Sequence, residues 1–269
     1  MTPNPFPQTL PGPVDITASH LDDRPHEECG IVGFSGIDAA AELAFLALYS
    51  LQHRGQESAG IYAIGDGEAR LHKAVGLVSE VFNADVLKGL PGRTAVGHVR
   101  YSTAGGRDVL NAQPILVRYA KGDLVVAHNG NLTNAYDLKK QLVGEGAIFR
   151  TTSDSEVIVH LIARSREKSI DGQVVDALNQ LEGAFSLAIT VGEVMYAVCD
   201  PRGYRPLVLG RLEEGHVVVS ETCALDILGA EYVRDIKRGE VLRIEGGSLR
   251  SLPELAQAES AAPCIFELV

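Results

Sequence analysis

Paired cysteine motifs are missing from this 269-residue chain: its four cysteines (Cys29, Cys199, Cys223, Cys264) form no C-x-x-C and no disulfide-like spacing. That usage suits a reducing cytoplasm better than secretion. Long apolar runs are also missing, and with no stretch near 18 apolar residues no membrane span is expected. Basic residues are scarce, 24 Lys and Arg against 35 Asp and Glu, for a net charge of −11. This excess of acid argues against a general nucleic-acid or anionic-membrane surface, and leaves room for a local basic pocket. No GxxxxGK phosphate loop occurs. His53, His98 and His128 follow no zinc-ligand spacing.

Proline is unevenly placed, with six of twelve in residues 1–28. Because proline fixes φ and removes a donor, this segment is expected to be an irregular leader that stands apart from the core. What is present elsewhere suffices for a large core, since 45% of the chain is hydrophobic. The patterning predicts strands at 31–34, 58–64, 69–75, 94–101, 124–128, 184–190, 194–199, 206–209, 216–220 and 240–244. A helix is predicted over 39–51, with Leu43, Leu46, Ala47 and the Tyr49-Ser50 pair on its apolar side. A second is expected to start at an S-x-x-E capping box, Ser153 to Glu156, and a third to span 171–181. Many strands in hairpin spacing, with helices in consecutive pairs, predict antiparallel sheets covered by helices, an α+β fold.

The leader ends at Glu27-Glu28-Cys29-Gly30-Ile31. Were Cys29 released as residue one, its α-amine (ordinary pKa about 7.7–8.0) could serve as base for its own thiol. The competing account is a small buried cysteine at a strand start. Polar clusters stand at strand ends and helix starts: LQHRGQESAG at 51–60, GHVRYST at 97–103, AHNGN at 127–131 and TSDSE at 152–156. Arginine can grip a carboxylate through two hydrogen bonds, and an aspartate in a first helical turn can hold an ammonium. Asn-Gly can present donors to an oxyanion, although Asn129-Gly130 is equally a common hairpin turn. Arg100 reads alternatively as a surface residue, and Asp154 as a charge complementing the helix dipole.

Taken together, CGIVG, LQHRGQESAGI, GHVRYSTAG, NAQPILV, HNGN, TSDSEVI, DPRGYRPLVLG, SETCALD and PCIFELV make the chain resemble the glutamine amidotransferases of the N-terminal-nucleophile class from Glu27 onward. Within them it is most similar to the amidophosphoribosyltransferases. Glucosamine-phosphate synthases are less similar, carrying Arg-Gly-Tyr-Asp and Arg-Trp-Ala-Thr where this chain has Arg54-Gly55-Gln56-Glu57 and Arg100-Tyr101-Ser102-Thr103. A catalytically silent binding domain is the remaining alternative.

The resemblance implies a four-layer αββα sandwich. It implies Cys29 as nucleophile, Asn129 and Gly130 as oxyanion hole, Arg100 and Asp154 as binders of the glutamine α-carboxylate and α-ammonium, and Arg54 as a substrate-site residue ordering the nucleophile's surroundings. It further implies a leader at 1–28, an amidotransferase domain at 29–262 and the start of a phosphoribosyltransferase half at 263–269. That half would bring magnesium and phosphoribosyl pyrophosphate, and homo-oligomers are expected for the full-length form. Cys264 is a candidate [4Fe–4S] ligand of the full-length enzyme, or else a structural cysteine. The glutaminase step itself requires no cofactor.

Overall fold

Successive side chains along a strand point to opposite faces, and two stacked sheets use both of them. The computed structural model describes residues 29–101, 109–256, 258 and 260–268. In chain order the first strands are β1 (Gly30–Ser35), β2 (Ser58–Gly65), β3 (Glu68–Val75), β4 (Thr94–Arg100), β5 (Ile115–Tyr119) and β6 (Gly122–Leu132). They are followed by β7 (Gly183–Val191), β8 (Val194–Cys199), β9 (Val208–Leu212) and β10 (Gly215–Val219). The last are β11 (Glu231–Asp235), β12 (Val241–Glu245) and β13 (Ser248–Ser251). Helices are α1 (Ala40–Ser50), α2 (Val78–Val81), α3 (Ala84–Lys88), α4 (Ala135–Gly144), α5 (Glu156–Arg164), α6 (Ile170–Leu178) and α7 (Cys223–Leu228).

One sheet has seven strands in the order β11-β9-β10-β1-β4-β2-β3, and the other has six in the order β13-β12-β8-β7-β6-β5. Neighbouring strands run antiparallel, as in the β1–β4 and β6–β7 pairs at their centres. Val32, Phe34, Ala59, Ile61, Ala95 and Val99 pack against α1 and α7 on the outer side of the first sheet. Leu124, Val126, Leu187 and Ile189 pack beneath α5 and α6 on the outer side of the second. Between the sheets, Ile31 and Val96 meet Ala127 and Ala188, and Leu209 and Val218 meet Met195 and Ala197. Helix, sheet, sheet and helix form the expected four layers. No helix among the described residues is long and apolar enough to cross a membrane.

Three local expectations are corrected. Helix α1 turns its alanines inward: Ala40, Ala41, Ala44, Ala47 and Leu48 are buried, while Leu46 and Tyr49 are 42% and 57% exposed. Small residues allow the helix to lie close on the sheet, where a side chain at Gly97 would meet Leu48 Cδ1 at 2.9 Å. Asn129-Gly130 is not a turn but lies inside β6, paired with Ser186 and Phe185. The Ser153–Glu156 capping box does not form. The cap position is Ser155, and Glu156 reaches back to the N–H groups of Arg150 and Thr151 at 2.9 and 2.7 Å. Burial alone would raise this carboxyl, but those bonds and His160 outweigh it and bring its pKa to about 2.

Candidate active site between the sheet ends

The alternation that places Ile31, Val96 and Ala127 between the sheets places Cys29, Arg100 and Asn129 on the same inner face, two or more residues along each chain. Gly30 pairs with Val99, so Cys29 enters opposite Arg100 at the end of β4. The Cys29 thiol is half-buried, 3.7 Å from the carbonyl oxygen of Tyr101. Arg100 is buried and lies 3.9 Å from the Glu57 carboxylate. The approach of Gly55 to this strand is close, for a Cβ there would sit 2.6 Å from the Arg100 carbonyl carbon. That contact accounts for glycine in the RGQES motif.

Asn129 is fully buried, and neither Oδ1 nor Nδ2 has a hydrogen-bond partner among the described residues. An unpaired buried amide costs about 1–3 kcal/mol of stability. Gly130 follows at φ +144°, where a Cβ would lie 2.1 Å from the carbonyl oxygen of Ala184. Only glycine lets β6 pass β7 there.

Asp154 stands in the turn before α5. Its Oδ2 accepts from the Leu132 N–H at 2.9 Å, and its Oδ1 lies 3.2 Å from Ser155 Oγ. The carboxylate is thus tied to the end of β6, beyond Asn129 and Gly130. The HNGN and TSDS motifs are joined directly by the hydrogen bond between His128 Nδ1 and Ser155 Oγ at 2.9 Å.

Arg54 has a different surrounding from a substrate-site residue. Its Nε donates to the carbonyl of Cys29 at 3.0 Å, and its terminal nitrogens donate to Glu221 at 2.5 Å and to Glu267 at 2.8 and 2.9 Å. Burial disfavours its charge, but the two carboxylates outweigh burial and hold its pKa above the ordinary value. Glu221 is pushed up by burial and down, more strongly, by Arg54 and His53. Arg54 thus ties the Cys29 main chain to Glu221 and Glu267. Its sequence assignment to ordering the surroundings of Cys29 matches that geometry better than contact with substrate.

Sequence reading passed over Glu221 and Glu267, although both lie in motifs, SETCALD and PCIFELV, that carry the resemblance. An isolated Glu gives no sign of which distant Arg it meets. DPRGYRP is structural: buried Asp200 accepts from the N–H groups of Arg202 and Gly203, each at 2.8 Å, and fixes the loop after β8. Residues 262–268 dock on that loop, where Cys264 N donates to the Tyr204 carbonyl at 3.1 Å. Among the described residues no three His, Cys, Asp or Glu side chains are grouped to hold a metal ion. Among the described residues Cys264 thus has no group of further thiolates beside it of the kind a [4Fe–4S] cluster takes. Sequence positions 102–108, including Ser102 and Thr103, and residues 1–28, where a leader is expected, lie outside the described residues.

Comparison with known proteins agrees with this geometry. The glutamine amidotransferase domain family matches residues 98–226. The chain is 44% identical over 268 residues to amidophosphoribosyltransferase 1, chloroplastic, of Arabidopsis thaliana, covering 99% of this chain and 47% of that protein. It is 45% identical over 227 residues to the Bacillus subtilis amidophosphoribosyltransferase, covering 84% of this chain and 48% of that one. Among solved structures, the B. subtilis glutamine phosphoribosylpyrophosphate amidotransferase complexed with ADP and GMP superposes with a TM-score of 0.84 at 41% identity. That match covers 89% of this chain and 52% of the other. A structure described as the allosteric regulatory enzyme of purine biosynthesis gives a TM-score of 0.85 at 42% identity, covering 89% and 51%. The chain spans about half the length of the curated relatives it matches. Motifs, layers and similarity together place it among the class II glutamine amidotransferase domains, in the form that amidophosphoribosyltransferases carry.

Proposed function

We propose that this domain hydrolyses the side-chain amide of glutamine to glutamate and ammonia, as the glutaminase half of an amidophosphoribosyltransferase. The observation that carries the reading is the buried, unpartnered Asn129 amide on the same inner face as Cys29 and Arg100. An amide held dry and unpaired is organised in advance for a charge that exists only during reaction. Arg100 takes the α-carboxylate of glutamine and Asp154 its α-ammonium. The Cys29 thiolate adds to the side-chain carbonyl carbon, and the resulting oxyanion is met by Asn129 Nδ2 and the Gly130 N–H.

Collapse of that intermediate expels ammonia, which takes its proton from the Cys29 α-ammonium. Water then cleaves the γ-glutamyl thioester, releasing glutamate and restoring the thiol. The base in this scheme is the α-amine of Cys29, so it requires release of residues 1–28. Ammonia is consumed in forming phosphoribosylamine from phosphoribosyl pyrophosphate, in purine synthesis. That substrate and its magnesium belong to a phosphoribosyltransferase half. The free thiols suit a reducing compartment such as the cytoplasm. The names of the relatives and the RGQES and HVRYST motifs disfavour a glucosamine-phosphate type.

The test is glutamate release from glutamine by the purified chain, with intact mass recorded alongside. Hydrolysis is expected from protein beginning at Cys29 and is expected to be absent in Cys29→Ala. Equal hydrolysis by Cys29→Ala, or by protein that still carries residues 1–28, would overturn the reading.

A further inference from the structure

The NAQPILV motif is unused by the scheme above, and its Gln113 is 4% exposed, at the junction of the two site segments. In the β5–β6 ladder Ile115 pairs with Val126, so Gln113 stands opposite His128 where the ladder would continue. The Gln113 side chain takes up the His128 donor beyond the end of the ladder: its Oε1 accepts from the His128 N–H at 2.8 Å. Its Nε2 donates towards Ser155 Oγ at 3.3 Å and the His128 carbonyl at 3.4 Å.

That carbonyl also accepts from His98 Nε2 at 3.1 Å. His98 is fully buried, which pushes its pKa down to about 3 and keeps it neutral. Ser155 Oγ sits 2.9 Å from His128 Nδ1 and 3.2 Å from Asp154 Oδ1. Gly60 makes room for this arrangement, since a Cβ there would lie 2.3 Å from the Gln113 carbonyl oxygen.

We propose that Gln113 is a positioning residue that holds the Asn129–Gly130 strand and the Asp154 carboxylate in fixed register through His128 and Ser155. The proposal rests on the roles given to Asn129 and Asp154 above. Only a primary amide of this length can accept from one segment and donate to the other. Removing both functions frees the residue preceding Asn129 and the residue following Asp154 together. A donor misplaced at the oxyanion lowers kcat, and a misplaced carboxylate raises KM.

The experiment measures kcat and KM for glutamine hydrolysis in Gln113→Leu, Gln113→Glu and Ser155→Ala, with Asn129→Ala in parallel. Thermal melting and intact mass are recorded for each variant. Gln113→Leu is expected to lower kcat at least about tenfold and raise KM at least about threefold, each hydrogen bond being worth roughly tenfold. Gln113→Glu keeps the acceptor for His128 and is expected to recover most of kcat while KM stays raised. Ser155→Ala cuts the Asp154 arm and the side-chain contact to His128 Nδ1 but leaves the His128 N–H bonded to Gln113 Oε1, and is expected to raise KM with kcat within about threefold. If Gln113→Leu does not fold, the Glu and Ala variants alone carry the split between kcat and KM.

Melting that falls while both constants stay within twofold in Gln113→Leu, or no split in the other two, overturns the positioning role. If Asn129→Ala itself keeps full kcat, the failure lies in the oxyanion reading instead.

Discussion

Replacing Asn129 by leucine is expected to make the protein more stable and nearly inactive at once. Asn129 is fully buried, with both amide atoms unpartnered among the described residues. Burying such a group without compensation costs about 1–3 kcal/mol, and a leucine of similar size removes that cost. Shape mismatch of the branched side chain between the sheets returns part of it, leaving a net gain of about 1 kcal/mol. For a domain of this size that corresponds to a rise in Tm of about 2–4 °C. Loss of one oxyanion donor costs about 2.7–4 kcal/mol of barrier, or about 10²–10³ in kcat, with little change in KM. The assays are thermal unfolding followed by fluorescence and steady-state glutamate release. An Asn129→Leu variant that melts several degrees lower and keeps kcat would refute the reasoning, because it would show that the amide is structurally satisfied in solution.

Arg100→Lys and Asp154→Asn preserve bulk and alter charge geometry. Each is expected to raise KM for glutamine about 10–100-fold, the worth of one charge-assisted contact, with melting within about 2 °C; unchanged KM in either would remove that residue from the substrate clamp. Glu156 is held at a pKa of about 2 in the folded state against 4.5 ordinarily. A depressed carboxyl contributes stability that is full above its unfolded pKa and is lost as pH falls from about 4.5 to about 2. Glu156→Gln is therefore expected to lower Tm at pH 7 and to flatten the fall of Tm across that window. A wild-type slope retained in the variant would place the acid sensitivity elsewhere.

The layers were legible because short continuous apolar runs, such as Ile31-Val32-Gly33-Phe34, mark strands buried on both faces. Strand β6 was legible only to His128, because Asn129-Gly130 carries the composition of a turn while its pairing with β7 keeps it extended. Tertiary hydrogen bonding overrode local preference there. Glycine served close approach at Gly130 and at Gly55 beneath Arg100, a use that sequence cannot separate from turn formation. The outward Leu46 and Tyr49 of α1 misled because hydrophobicity outweighs alanine in any periodicity reading, although alanine is what lets a helix seat closely. The motif residues Cys29, Arg100, Asn129, Gly130 and Asp154 were read from chemistry and resemblance, and the structure brings their segments to one end of the stacked sheets. Gln113 escaped notice because its role depends on where the β5–β6 ladder ends, at Ile115, a property of pairing and not of composition. The carboxylates around Arg54 escaped for the same reason, lying 167 and 213 residues away.

The central claim is that Cys29 is an amino-terminal nucleophile reached by glutamine, and covalent labelling tests it most directly. Purified protein is incubated with a diazoketone analogue of glutamine, and its mass and peptides are then measured, with excess glutamine as competitor. The account predicts one adduct per chain, on the sulfur of a Cys29 whose α-amine is free, suppressed by glutamine in proportion to occupancy. Full hydrolysis of glutamine by protein already labelled at Cys29, or an adduct on Cys199, Cys223 or Cys264 in place of Cys29, would contradict the account.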